Sequence, residues 1–149
     1  MSGNLDMVKY LHKEGYYLDC CISRNAAKCN KLNLIKWVRL MRLTWTFDFS
    51  DKASEYRHYK ILKWAYKHNC PCNPQVVINI LKNGDFDLLD WIIENKIPIK
   101  SKACKMIAYH GRFNILKKVM AYGCYIDYKI CEISMKYGYV DMIRHSHIS

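Results

Sequence analysis

The sequence predicts an all-α solenoid of stacked helix–turn–helix units, and three observations carry that expectation. First, it repeats at a fixed interval of 27 residues: Gly84-Asp-Phe-Asp-Leu-Leu-Asp-Trp-Ile is followed by Gly111-Arg-Phe-Asn-Ile-Leu-Lys-Lys-Val and Gly138-Tyr-Val-Asp-Met-Ile-Arg. The same interval leads back to Arg57-His-Tyr-Lys-Ile-Leu-Lys-Trp-Ala, Asn30-Lys-Leu-Asn-Leu-Ile-Lys-Trp-Val and Gly3-Asn-Leu-Asp-Met-Val-Lys-Tyr-Leu. A constant period of this size marks units that bury their apolar faces only by stacking on one another. Second, apolar residues within each copy recur at helical spacing. Third, capping and turn residues recur at matching positions between the helical stretches. The expectation is therefore one repeat domain over residues 1–149, with copies starting near 3, 30, 57, 84, 111 and 138 and about eleven short helices.

Each copy divides into two helices. The one here termed helix B spans Asn4 to Glu14 in the first copy, with its apolar stripe at Leu5, Met7, Val8 and Leu11. The stripe returns as Leu32, Leu34, Ile35 and Val38, as Tyr59, Ile61, Leu62 and Ala65, as Phe86, Leu88, Leu89 and Ile92, and as Phe113, Ile115, Leu116 and Val119. Gly15, Asn69 and Gly123 end helix B where a left-handed residue is cheapest, and Pro71 and Pro98 block its continuation.

Helix A opens each time near a residue able to accept a hydrogen bond from a free N–H of the first turn: Asp19, Asn73, Ser101 or Asp127. The predicted A helices are Cys20–Cys29, Pro74–Asn83, Lys102–His110 and Tyr128–Tyr137, with inward columns Ile22, Val76, Ala103, Ile130 and Ala26, Ile80, Ile107, Ser134. Gly84, Gly111 and Gly138 turn the chain into the next helix B. The second unit has a poorer pattern, which predicts a less regular helix near Asp48–Tyr56, with Trp45 and Phe47 filling space that smaller residues fill elsewhere.

The chain opens on a helix B and closes at Arg144-His-Ser-His-Ile-Ser149, part-way through another. Solenoids need polar capping units. Both ends read as uncapped, which fits a fragment of a longer array, a degraded copy, or an end covered by a partner.

Two antiparallel helices joined by a Gly turn, with a Gly-x-φ-x-φ-φ-Lys-x-φ opening to helix B, resemble the ankyrin repeat, whose usual unit is about 33 residues with a projecting β-turn. About six residues are missing here, where that finger would project. The compact form resembles the divergent ankyrin repeats of giant DNA viruses of amoebae (mimivirus-like). Tyr59-Lys-Ile-Leu-Lys-Trp-Ala-Tyr-Lys-His-Asn-Cys-Pro-Cys-Asn73 is the best match, and Lys36-Trp37, Lys63-Trp64 and Asp90-Trp91 echo its Lys-Trp pair. The chain lacks the Thr-Pro-Leu-His start of an ankyrin helix A. The resemblance implies an all-α stack without β-hairpin fingers and a scaffold or adaptor that binds a host or viral protein.

Composition narrows the function classes. The formal net charge is +11 and half of the residues are hydrophobic. The apolar runs are too short and too often interrupted to cross a bilayer, and the N-terminus lacks the pattern of a secretory signal. The expectation is a cytoplasmic or nuclear protein, neither secreted nor membrane-bound, whose eight cysteines are reduced and structural. His68-Asn-Cys70-Pro-Cys72 lacks a second ligand pair, so no metal is expected. No nucleophile motif or phosphate-binding glycine loop is present, so no enzyme activity, cofactor or small-molecule ligand is expected.

Two surfaces remain as candidates. The outward columns of helix A hold Arg24, Asn25, Lys28, Ile78, Asn79, Lys82, Lys105, Met106, Tyr109, Ile133 and Lys136. Ile78, Met106, Tyr109 and Ile133 would form an exposed apolar strip with a basic rim, suited to a protein partner; the other reading is partial burial against neighbouring helices. On helix B, Lys9, Lys36, Lys63, Lys117 and Arg144 share one column, broken by Asp90. That column is either a solvated helix face or a ladder for nucleic acid or another polyanion.

Overall fold

The computed structural model describes residues 3–46, 48–123 and 127–138. The protein is all-α: among the described residues there are ten helices and no strand. The helix B of the last copy, which would follow Gly138, falls outside the described residues, as does Phe47. The chain forms two compact units, Met1–Asn73 and Pro74–Ser149.

The first unit holds α1 (Gly3–Lys13), α2 (Cys21–Lys28), α3 (Leu32–Leu40), α4 (Phe49–Glu55) and α5 (Tyr59–Lys67). Here α1, α3 and α5 are the B helices and α2 and α4 the A helices. Helix α2 packs on both α3 and α4, α4 packs on α5, and α1 packs on α3. Neighbouring A helices therefore lie side by side, as stacked hairpins require. Their contact is made by small side chains: Ser23, Ala27, Ala53 and Ser54 are fully buried. The Ser23 hydroxyl donates to the Cys20 carbonyl at 2.7 Å and that of Ser54 to the Asp51 carbonyl at 2.9 Å. Burial thus leaves neither hydroxyl unpaired. At the start of the unit Met7 is 64% exposed, although its column mates Leu34 and Ile61 are 6% and 0% exposed.

The second unit holds α6 (Gln75–Lys82), α7 (Leu88–Glu94), α8 (Ser101–Tyr109), α9 (Phe113–Ala121) and α10 (Tyr128–Lys136). The A helices α6, α8 and α10 pack in that order, and α7 and α9 pack against α6 and α8 respectively. Val76, Ile80, Leu89, Ile92, Ile107 and Val119 form its core.

The joints between helices follow the same interval. Among the described residues, every left-handed residue lies in one of two columns spaced by 27: residues 15, 42, 69, 96 and 123 after the B helices, and 30, 57, 84, 111 and 138 after the A helices. The amide of the following residue closes a six-residue turn onto the last helical carbonyls. Tyr16 donates to Leu11, Leu43 to Val38, Cys70 to Ala65 and Ile97 to Ile92, at 3.0–3.2 Å, and Lys31, His58, Asp85 and Arg112 repeat the bond after the A helices. This is the Schellman stop. It also explains Cys70 and Ile97, 3% and 1% exposed, which occupy the position where that stop packs an apolar side chain.

Side chains at these joints differ in cost. Gly84 has φ of 76°, and a Cβ placed there meets nothing within 4 Å. Gly84→Ala is therefore expected to lower stability by about 1 kcal/mol through backbone strain alone. Lys96 carries that strain already, at φ of 53°, so Lys96→Gly is expected to be neutral or stabilising by up to about 1 kcal/mol. Urea unfolding of both variants checks the opposite signs.

Two of the expected caps are seen. Asp19 Oδ1 accepts from the Cys21 amide at 3.0 Å and Asp127 Oδ1 from the Lys129 amide at 3.2 Å. Ser101 is instead the first residue of α8, preceded by Lys100 in extended conformation. The helix begins one residue earlier than predicted, so the serine is inside it. The irregular second unit keeps its helix as α4, and its space is filled by Phe49, which is fully buried. Trp45 covers Phe49 edge-on at 4.7 Å between ring centres.

Candidate interaction surfaces

The A helices of the second unit leave a groove of about 150 Å³ between α8 and α10, lined by Lys105, Tyr109, Lys129, Glu132, Ile133 and Lys136. Four of these residues were expected on a binding face, and the fold brings them together. Lys129 lies outside the columns the periodicity singled out. Tyr109 is 54% exposed and meets Tyr137 edge-on at 6.0 Å. Lys105 is anchored by Asp127 at 2.6 Å, and that bond holds the Asp127 carboxyl below its ordinary value.

The exposed apolar strip is corrected. Ile78 and Ile133 are 5% and 6% exposed, and Met106 is half-buried. The reason is side-by-side packing: α6 and α10 both lie against α8, so residues that project sideways towards it are covered. Asn79, in the column of Met106 and Ile133, is likewise half-buried and accepts from Gln75 Nε2 at 3.0 Å. Of the outward helix A columns, only that of Lys28, Glu55, Lys82, Tyr109 and Lys136 is exposed throughout among the described residues. In the first unit Arg24 pairs with Asp48 at 3.2 Å and Lys28 lies over the Tyr56 ring at 5.5 Å, while Asn25 is exposed. Burial raises the Asp48 pKa, but hydrogen bonds from Thr46 and Arg24 outweigh it and leave the group lowered.

On the B helices Lys9, Lys36 and Lys63 are exposed in the first unit and Lys117 in the second; Arg144 lies outside the described residues. Asp90, which breaks that column, pairs with Lys118 at 2.7 Å. The same pair flanks a second groove of about 610 Å³ with Ile93, Glu94, Ala121 and Tyr122.

Cysteine chemistry separates into two groups. Cys20 and Cys29 are exposed free thiols, whereas burial pushes the Cys70 thiol up to about 12 and the Cys72 thiol up to about 11. Cys104 departs from the expectation of reduced thiols: it is disulfide-bonded. Near pH 8 a thiol titrating at about 12 is roughly one part in ten thousand thiolate, the reactive form. Iodoacetamide is therefore expected to modify Cys20 and Cys29 of the native chain and to spare Cys70 until its unit unfolds, as peptide mass spectrometry will show. Among the described residues no three His, Cys, Asp or Glu side chains converge as a metal-ligating group. Comparison with family models, curated proteins and solved structures finds no match to this chain.

Proposed function

We propose that the chain is a non-enzymatic interaction module built from ankyrin-like repeats, which binds a host or viral protein through the helix A side of Pro74–Ser149. The α8–α10 groove is the observation that carries this reading. It combines an exposed aromatic ring, Tyr109, with a buried apolar floor at Ile133 and a rim of Lys105, Lys129 and Lys136. Aromatic anchors ringed by polar groups are where binding energy concentrates in protein interfaces. The repeat reading is supported by the joints: ten left-handed residues in two columns of one period are what duplicated helix hairpins leave behind. The viral origin and the adaptor role rest on the sequence resemblance, and place the protein in the cytoplasm or nucleus of the host cell.

The test is partner capture by the intact chain from host or infected-cell lysate, compared with Tyr109→Glu/Lys136→Glu. Both side chains are exposed, so the fold is preserved. A partner lost by the double variant, and retained by Lys117→Glu, supports the assignment. A partner held equally by all three places the contact elsewhere and overturns it.

A further inference from the structure

Charge in the first unit is sorted between its two helix rows. Helices α1, α3 and α5 carry seven Lys and Arg side chains against the one carboxylate of Asp6. The acids of this unit lie mainly on the other row, where Asp48 neutralises Arg24 and Glu55 neutralises Lys52. Lys9, Lys36, Lys60 and Lys67 are exposed and form no ion pair with a described residue. The B helices of the second unit are mixed: α7 carries Asp90 and Glu94 and no base, and α9 carries Lys117 and Lys118, of which Lys118 is paired with Asp90.

Aromatic rings stand beside these cations. One residue after each lysine of the column come Tyr10, Trp37 and Trp64. Tyr10 is 61% exposed, and Trp37 meets His12 of α1 edge-on at 5.4 Å. Trp64 is stacked on His68, with ring centres 4.0 Å apart and planes 22° from parallel. The His68 ring is held in that pose by its Nδ1, 2.7 Å from the Trp64 carbonyl, so the ring N–H donates there. His68 is exposed and Trp64, half-buried beneath it, also meets Trp45 edge-on at 6.4 Å, so the stack is preformed with its outer ring at the surface.

We propose that the α1–α3–α5 face of Met1–Asn73 binds single-stranded nucleic acid, its lysines contacting phosphates and the Trp64–His68 stack receiving a base. Phosphate contacts supply a salt-sensitive attraction, and aromatic platforms add a stacking term that accepts any unpaired base. A duplex keeps its bases within its own stack and would leave the platform unused. An acidic peptide would meet the lysines alone. This surface is separate from the helix A side proposed for a protein partner.

Fluorescence anisotropy of the full chain with labelled oligothymidylate and oligouridylate of about 20 nucleotides tests the assignment. The expected result is micromolar affinity near physiological salt. For three to five neutralised phosphates, log affinity should fall against log salt with a slope of about −2 to −3.5. Lys36→Glu/Lys60→Glu/Lys67→Glu, all surface changes checked by circular dichroism, should weaken binding at least about tenfold and flatten that slope. His68→Ala should weaken it about fivefold or more while leaving the slope unchanged. Tyr109→Glu/Lys136→Glu should bind as the parent does, so failure of the protein-partner reading stays distinguishable.

The proposal is overturned if no binding is seen up to about 100 µM near physiological salt, or if the triple variant binds unchanged. A loss confined to the triple variant, with His68→Ala equal to the parent and heparin as good a ligand, also overturns it, since that is charge attraction alone. Capture by phosphatidylserine vesicles without oligonucleotide binding overturns it in favour of a membrane surface.

Discussion

Replacing Phe49 with alanine will lower the stability of the first unit by about 3–5 kcal/mol, the range for emptying a fully buried aromatic site. Phe49 has no exposed surface and opens α4, a helix of only seven residues. Its column holds Ile22, Val76, Ala103 and Ile130, and the residue one turn later is Ala26, Ala53, Ile80 and Ile107 in the first four copies. Large and small are complementary within three of these pairs: Ile22 stands with Ala26, Phe49 with Ala53, and Ala103 with Ile107. The expectation is that the two positions in these copies share one space, filled from different ends. Ala53→Ile in the wild-type background should then overpack and cost about 1–3 kcal/mol. In the Phe49→Ala background the same change should recover part of the loss, a coupling above about 0.5 kcal/mol in a double-mutant cycle. Additive behaviour would show that the positions do not share space.

The second large effect is expected at Ile107. It is fully buried on α8, and Ala103, one turn earlier, is buried without bulk. Ala108 beside it is equally small and covered. Ile107→Ala therefore opens a cavity that no neighbouring long side chain on this helix can refill, and the cost should fall in the upper half of the 2–5 kcal/mol range. Urea titration read by far-UV circular dichroism measures it. A loss near 1 kcal/mol would mean that α9 or α10 closes over the gap. The A-helix row would then be softer than a close-packed core.

What could be read from the residues, and what could not, follows from how each piece of information is carried. The interval of 27 specifies spacing, and the helices fall where the spacing puts them, from Gly3–Lys13 to Tyr128–Lys136. It specifies the joints as well, but glycine chemistry is a poor guide to them. Arg42 and Lys96 hold left-handed backbone as Gly15 and Gly123 do, and only the count from their equivalents marks them. Phe49 shares the column of Ile22 and Val76, but the larger ring of Trp45 and the nearby Phe47 hide that signal in the sequence. For Ile78 and Ile133 the residues leave exposure and burial both open, because a helical wheel describes one helix with one buried side. A helix in a row is covered on its flanks as well. The α8–α10 groove needs two helices at once, so Lys129, contributed by the outer edge of α10, had no signal in a single-helix pattern. The pairing of Lys105 with Asp127, 22 positions apart, belongs to the same class.

The two columns of left-handed joints have a further meaning for how such a chain can change length. Among the described residues each helix ends on the same left-handed turn, and wherever the next residue is described the same amide-to-carbonyl bond closes it, whatever side chain occupies the turn. Excising or duplicating one whole period at a joint rejoins a helix to the turn it already expects, with no new connector to invent. A cut of any other length would shift the apolar stripe round the helix and strand it in solvent. The chain is thus graduated: it can be shortened or extended in steps of one hairpin, and the residues that recognise a partner can be traded between copies without redrawing the backbone that holds them.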